Sequence, residues 1–236
     1  MPPSPPPARR PWTQLAARLR RALGLAAHHR EPFPGSAAYW DQRYARGGDS
    51  GAGSYGKFAA FKARTLNALF AEHGVRSVVE FGSGDGNQLA SLQVEDYLGV
   101  DVSAEAVARC RARFAGQPGR RFLLADEYPG DAADRPRFDA ALSLDVIYHL
   151  IEDEVYEAYM RRLFDAAERL VIVYASNHED PLRREAVHVR HREFTRWVAA
   201  HAPQWRRIQH IPNEFPFRGD HREGSFADFH VFARTG

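Results

Sequence analysis

The spacing of apolar residues changes repeatedly along this chain between a helical and an extended rhythm. Over residues 57–73, Phe58, Phe61, Ala63, Leu66, Leu69 and Phe70 recur with charged residues between them, which predicts a one-sided helix stopped by Gly74. Short apolar runs at 77–81, 97–102, 121–125, 138–144 and 170–175 predict five strands. A helix is expected over 103–114, opened by the capping residue Ser103 with Glu105 behind it. Another follows the fourth strand, where Val155, Tyr159, Leu163 and Ala167 recur at intervals of four. Strands that alternate with helices in this way form a parallel sheet covered on both faces. Two last strand candidates, 205–211 and 225–232, are separated by a proline-containing connection without helical period, so they can pair antiparallel. The expected fold class is therefore α/β: a doubly wound, seven-stranded, mostly parallel sheet with an antiparallel last strand.

The N-terminal stretch does not fit that rhythm. Residues 1–7 contain five prolines, and Leu15, Leu19, Leu23 and Leu25 are interleaved with arginines over 12–29, the pattern of a short basic amphipathic helix able to make weak contact with a membrane surface. Pro32, Pro34 and Gly35 break the pattern, so residues 1–35 are expected to be a partly disordered Pro/Arg-rich extension and 36–236 the folded domain. With 236 residues, 44% hydrophobic, one substantial core is affordable and two are not.

Charge sharpens this division. The formal net charge of +2 includes six arginines and no acid in residues 1–30; setting them aside leaves 26 basic against 30 acidic residues, a net of −4 for the body. An acidic body speaks against a nucleic-acid partner. The single cysteine, Cys110, permits no intramolecular disulfide, and no apolar run reaches the length of a membrane span; the expected location is cytoplasmic. The oligomeric state is left open.

Candidate chemistry begins at Glu80-Phe-Gly-Ser-Gly-Asp-Gly86. A strand ends in an acid, and glycines at alternate positions then let the backbone turn sharply and approach a ligand closely. Asp101, at the end of the second strand, can accept both hydroxyls of a ribose. A dinucleotide fingerprint would place its third glycine where Asn87 stands, and the acid before the first glycine would repel a pyrophosphate, which disfavours a nucleotide-dependent dehydrogenase.

The segment resembles the first motif of class I S-adenosylmethionine-dependent methyltransferases, whose fold is Rossmann-like. Tyr97-Leu-Gly-Val-Asp-Val-Ser103 resembles the second motif, Leu124-Ala-Asp126 the adenine-side acid, and Phe138-Asp-Ala-Ala-Leu-Ser-Leu-Asp145 the fourth motif. The resemblance implies S-adenosylmethionine as cofactor. It places Glu80 near the methionine amino end, Gly82 and Gly84 beneath the cofactor, Asp101 at the ribose and Asp126 at the adenine amine, with Ser83, Gln88, Val102 and Leu144 as further contacts. Five glycines in 47–56, flanked by Tyr39, Tyr44 and Tyr55, suggest a lid that closes the open side of that site.

Methyl transfer to a hydroxyl requires a proton acceptor. His149, close after the fourth strand, is the expected general base, and Asp145, four residues earlier, its orienter or a substrate contact. Tyr148, His188, His191 and Arg192 are expected to line the acceptor, the last three on the opening turn of a helix over 188–197. Arginines near His188 and His191 argue against a cation there, and a divalent ion such as Mg at Asp145 or Glu152 is left open. A narrower likeness, to small bacterial methyltransferases that include sugar O-methyltransferases, implies a small-molecule or glycan acceptor. The alternatives are N-methylation of a small metabolite and a non-catalytic cofactor-binding scaffold. Turnover separates the scaffold from the enzymes.

Overall fold

A computed structural model of the chain describes residues 33–130, 136–179 and 186–235. The extended segment and amphipathic helix expected before residue 33 lie outside the described residues.

The folded unit begins with helix α1 (Ser36–Ala45), followed by α2 (Gly56–His73), and then strands and helices alternate: β1 (Ser77–Phe81), β2 (Asp96–Asp101), α3 (Ala104–Arg113), β3 (Arg120–Leu124), β4 (Phe138–Leu144), α4 (Asp153–Asp165), β5 (Ala167–Ala175), α5 (Phe194–His201), β6 (Trp205–Ile211) and β7 (Asp228–Arg234). The seven strands form one sheet in the order β3-β2-β1-β4-β5-β7-β6. The first five are parallel, and β7 runs antiparallel between β5 and β6, so both final strand pairings are antiparallel.

Alternate residues of the central strands feed two separate cores. Val79, Phe81, Leu98 and Val100 pack with Met160, Leu163, Trp197 and Val198 on one face; Val78, Tyr97, Ala140 and Leu142 pack with Phe61, Leu66, Leu69 and Val107 on the other. This explains why the central strands read as nearly continuous apolar runs instead of alternating ones. The predicted cap of α3 is present, with the Ser103 hydroxyl accepting the Ala106 N–H at 3.4 Å. Gly74 ends α2 in the left-handed conformation, φ 60°.

Four sequence-based expectations shift. Helix α1 carried no hydrophobic period strong enough to announce it. β5 starts at Ala167 instead of Leu170, using residues that continued the apparent helical repeat. β7 starts at Asp228 instead of Ser225, because Ser225 exchanges backbone bonds with Phe215 and Phe217 in an isolated parallel bridge at Pro216. Residues 188–193 are not the start of a helix but follow a turn closed by Val189 N and the Ala186 carbonyl; Arg190 N donates to the Tyr148 carbonyl at 2.8 Å, and the Arg190 side chain reaches the Ile151 carbonyl, which holds the irregular segment against the loop after β4.

Candidate active site

The parallel strands deliver their C-terminal ends to one edge, where a cleft of about 430 Å³ opens between the β1, β2 and β4 termini and α1. Tyr44, Glu80, Gly82, Ser83, Gly84, Gln88, Asp101, Val102, Leu144, Asp145 and His149, all expected site residues, line it.

The turn after β1 is shaped by backbone pairing. Gly82 N and Ser83 N both donate to the Val100 carbonyl, at 2.7 and 3.2 Å, and Gly84 N donates to Asp101 Oδ2 at 2.8 Å. Gly82 has φ 84°, and a Cβ there would lie 2.4 Å from Val146; at Gly84, φ 56°, it would lie 2.3 Å from the Ser50 hydroxyl. Glycine is required at both on conformation and on space. Asp101 also accepts from Ser103 N at 3.0 Å, which leaves about two of its four lone-pair sites for a ligand. Ser83 packs toward β2, its hydroxyl oxygen 2.8 Å from where a Cβ on Gly99 would stand.

The glycine-rich segment lies over this turn. Ser50 N donates to Asp85 Oδ2 at 3.2 Å, Asp85 N donates back to the Ser50 hydroxyl at 3.1 Å, and Tyr44 shares that hydroxyl at 2.8 Å. Asn87 Nδ2 binds the Ser54 carbonyl at 2.7 Å, and Arg109 ties the Gly48 and Tyr44 carbonyls to α3. Tyr55 donates to Asp85 and stands behind the wall instead of on it.

Burial displaces several ionisable groups in the cleft: it raises the Asp101 carboxyl and the Tyr44 and Tyr159 hydroxyls, and it acts on Glu80 and His149. The Glu80 carboxyl is pushed up to about 7, against the opposing effects of a 2.5 Å hydrogen bond from the Tyr97 hydroxyl and of the Lys62 charge. Burial lowers His149 to about 4, although its bond to the His188 carbonyl works the other way. That bond, 2.8 Å from Nδ1, defines the tautomer: a carbonyl only accepts, so Nδ1 carries the proton and Nε2 is the basic nitrogen. The His149 ring is stacked on His188, 5.3 Å between centroids at 16°, and meets Trp40 edge-on at 4.8 Å.

Asp145 is not the hydrogen-bonded orienter of His149. Its Oδ2 accepts from Lys62 at 2.7 Å and its Oδ1 from the Tyr148 hydroxyl at 2.6 Å; the orienter of His149 is a backbone carbonyl. With φ 60°, Asp145 is the one non-glycine residue of positive φ among the described residues, a conformation its two partners hold in place. Lys62 was missed from the sequence. Its signal is a lysine on the buried face of α2, one residue after Phe61 and four before Leu66.

Other expected contacts have different surroundings. Tyr39 stacks on His188 at 4.5 Å and 12°, outside the cleft wall. Asp126 is exposed, and Ala125 forms the wall beside it. Tyr148 reaches the cleft only through Asp145. His191 is buried against the Ser176 hydroxyl at 2.7 Å. Arg192 clamps the Leu150 and Ile151 carbonyls and Asp153, so it holds the end of the β4 loop instead of facing the cleft. Of the two carboxylates considered for a divalent ion, Asp145 is engaged by Lys62 and Tyr148, and Glu152 accepts Ser36 N and its hydroxyl at 2.9 and 2.6 Å. Among the described residues, no three His, Cys, Asp or Glu side chains gather as a metal site.

Residues 79–171, from β1 into β5, match the family model for a methyltransferase domain. This sheet order and glycine turn are those of the class I methyltransferase fold, and structures that share it hold S-adenosylmethionine or S-adenosylhomocysteine, the cofactor that the matched domain and the fold support here. Among solved structures it is similar to the N-methyltransferase NodS from Bradyrhizobium japonicum WM9 in complex with S-adenosyl-L-homocysteine, at 13% identity and a TM-score of 0.64, covering 85% of this chain and 99% of that one. It is also similar to magnesium protoporphyrin IX methyltransferase from Synechocystis PCC 6803 with bound S-adenosylhomocysteine, at 15% identity and a TM-score of 0.59, covering 84% and 98%. The methyltransferase domain of bacterial CtHen1 matches at 22% identity and a TM-score of 0.53, covering 74% and 97%. No curated protein matches the chain by sequence.

The cleft fits that cofactor on its own chemistry. Val102 and Val155, 44% and 42% exposed, are two of four large apolar side chains exposed to this extent among the described residues, and both line the cleft, where a planar base could cover them. The buried Gln88 Oε1 has no hydrogen-bond partner among the described residues and also lines the cleft.

Proposed function

We propose that the domain transfers the methyl group of S-adenosylmethionine to a hydroxyl of a small molecule or sugar, with His149 as general base. The observation that carries this reading is the His149 Nδ1 contact with the His188 carbonyl, which leaves Nε2 as the basic nitrogen of a side chain on the cleft.

The bound cofactor supplies an electrophilic methyl group on a sulfonium. The glycine turn would support it, Asp101 would receive the ribose hydroxyls, Glu80 and Gln88 the amino end, and Val102 and Val155 the apolar base. His149, kept neutral by burial, takes the acceptor's proton at Nε2 as the oxygen becomes nucleophilic. The charge of Asp145 favours the imidazolium that results, through space and without a hydrogen bond. Trp40, on the cleft wall against His149, offers an apolar surface to the ring of a sugar or other small acceptor. Tyr39, with His188 stacked between it and His149, and the glycine segment 47–56 would close the site as a lid.

NodS and the porphyrin enzyme differ in what their names say they act on, so the acceptor has to be argued from the site and not from the fold. The test is a methyl-release assay with hydroxylated and aminated acceptors, followed by mass spectrometry of the product. An O-methyl product whose formation requires His149 supports the proposal. N-methyl product, or unchanged turnover in His149→Ala, contradicts it.

A further inference from the structure

One end of the cleft has hydrogen-bonding capacity that the protein itself does not use. Lys62 is 1% exposed, yet it lines the cleft. An ammonium has three donors, and here one is taken, by Asp145 Oδ2 at 2.7 Å; that carboxylate is itself completed by Tyr148. The Tyr174 ring lies 5.4 Å from the ammonium, and among the described residues no other hydrogen bond reaches it, so donors remain that burial makes costly to leave without an acceptor. On the same face of the sheet, Glu80 Oε2 accepts the Tyr97 hydroxyl, and among the described residues no other hydrogen bond reaches that carboxylate. Gln88 gives its Nε2 to the Ala59 carbonyl at 3.2 Å, which fixes the amide orientation and leaves the buried Oε1 unpartnered. Spare donors on a cation thus share a cleft with spare acceptors on an acid and an amide, the complement of a carboxylate and an ammonium held together.

We propose that Lys62 is the receptor for the α-carboxylate of the cofactor's amino-acid head, with the ammonium of the same head turned to Glu80 and Gln88. This rests on the reading of the cleft as an S-adenosylmethionine site. It assigns to α2, a helix that precedes the glycine turn, one of the charged contacts of that site. The Lys62–Asp145 pair also links the cofactor's head to the loop that carries His149.

The test is titration calorimetry of the full chain with two ligands: S-adenosylhomocysteine, and its decarboxylated analogue, which keeps the thioether and the amine. Loss of one charge-assisted contact predicts that the wild type prefers S-adenosylhomocysteine by about 10- to 100-fold. In Lys62→Met that preference collapses to within about threefold, while Lys62→Arg retains most of it. Should Lys62→Met fail to fold with Asp145 left unpaired, Lys62→Met combined with Asp145→Asn removes both charges, and the same ratio is read. An undiminished preference in the lysine-free protein, or no preference in the wild type, overturns the assignment. Binding of neither ligand by the wild type overturns the underlying cofactor reading as well, a result distinct from a lost carboxylate preference.

Discussion

Burial moves His149 and Glu80 in opposite directions along the pH axis, and the two shifts give separate predictions. His149 is lowered to about 4, so the base stays neutral across the range in which an exposed histidine would be protonated. The acid limb of kcat is therefore expected well below 6.5 and should be absent in His149→Ala, whose turnover falls by about 10²- to 10⁴-fold while its affinity for S-adenosylhomocysteine stays within about twofold. Glu80 is raised to about 7, and an ammonium at its free oxygen favours the carboxylate. Donor affinity should weaken as pH falls through 7, and Glu80→Gln should flatten that dependence; calorimetry at several pH values reads both. The linked stability effect has the opposite sign in the ligand-free protein. Because the folded pKa lies above the unfolded value, Glu80's contribution is complete below about 4.5 and is lost as pH rises toward about 7.

Among the elements, the glycine turn and the segment laid over it form the mechanical unit of the site. A side chain at Gly84 meets both a left-handed backbone and the Ser50 hydroxyl, so Gly84→Ala should weaken donor binding by about 10- to 100-fold, equivalent to strain of roughly 1–3 kcal/mol. Ser50→Ala removes the acceptor of Asp85 N and the partner of Tyr44, and is expected to make 47–56 more susceptible to limited proteolysis, with protection regained on addition of cofactor; equal cleavage with and without cofactor would show that the segment is no lid. Motif, glycine turn and sheet were legible in the sequence because they follow from local rules: strand runs, a turn that needs glycine, an acid at a strand end. What escaped depends on tertiary contacts. Residues 188–193 carry helix-compatible residues, yet arginine bonds to the carbonyls of 148–151 hold them in an irregular path, and the base's orienter is one of their carbonyls, which no side-chain pattern can announce. Lys62 reads as solvated in composition, and only the apolar face around it on α2 marks it as buried.

At the scale of the whole molecule, the sheet separates two cores, and the site sits where strands from the middle of the sheet end. Leu142 is fully buried in the core shared with α2, so Leu142→Ala should cost about 2–5 kcal/mol in denaturant unfolding. Because α2 carries Lys62, that core also sets the position of the charged end of the cleft. No helix among the described residues is long and apolar enough to cross a membrane, and the acidic balance of the body leaves the basic charge to the N-terminal extension. The most direct check of the central claim, that the edge at β1 and β2 is an S-adenosylmethionine site, is titration of S-adenosylhomocysteine into the wild type and Asp101→Ala. One-to-one binding by the wild type, weakened by about tenfold or more in the variant, is the result expected from the lost ribose contact. Absence of binding by the wild type, or equal affinity in both proteins, would contradict it.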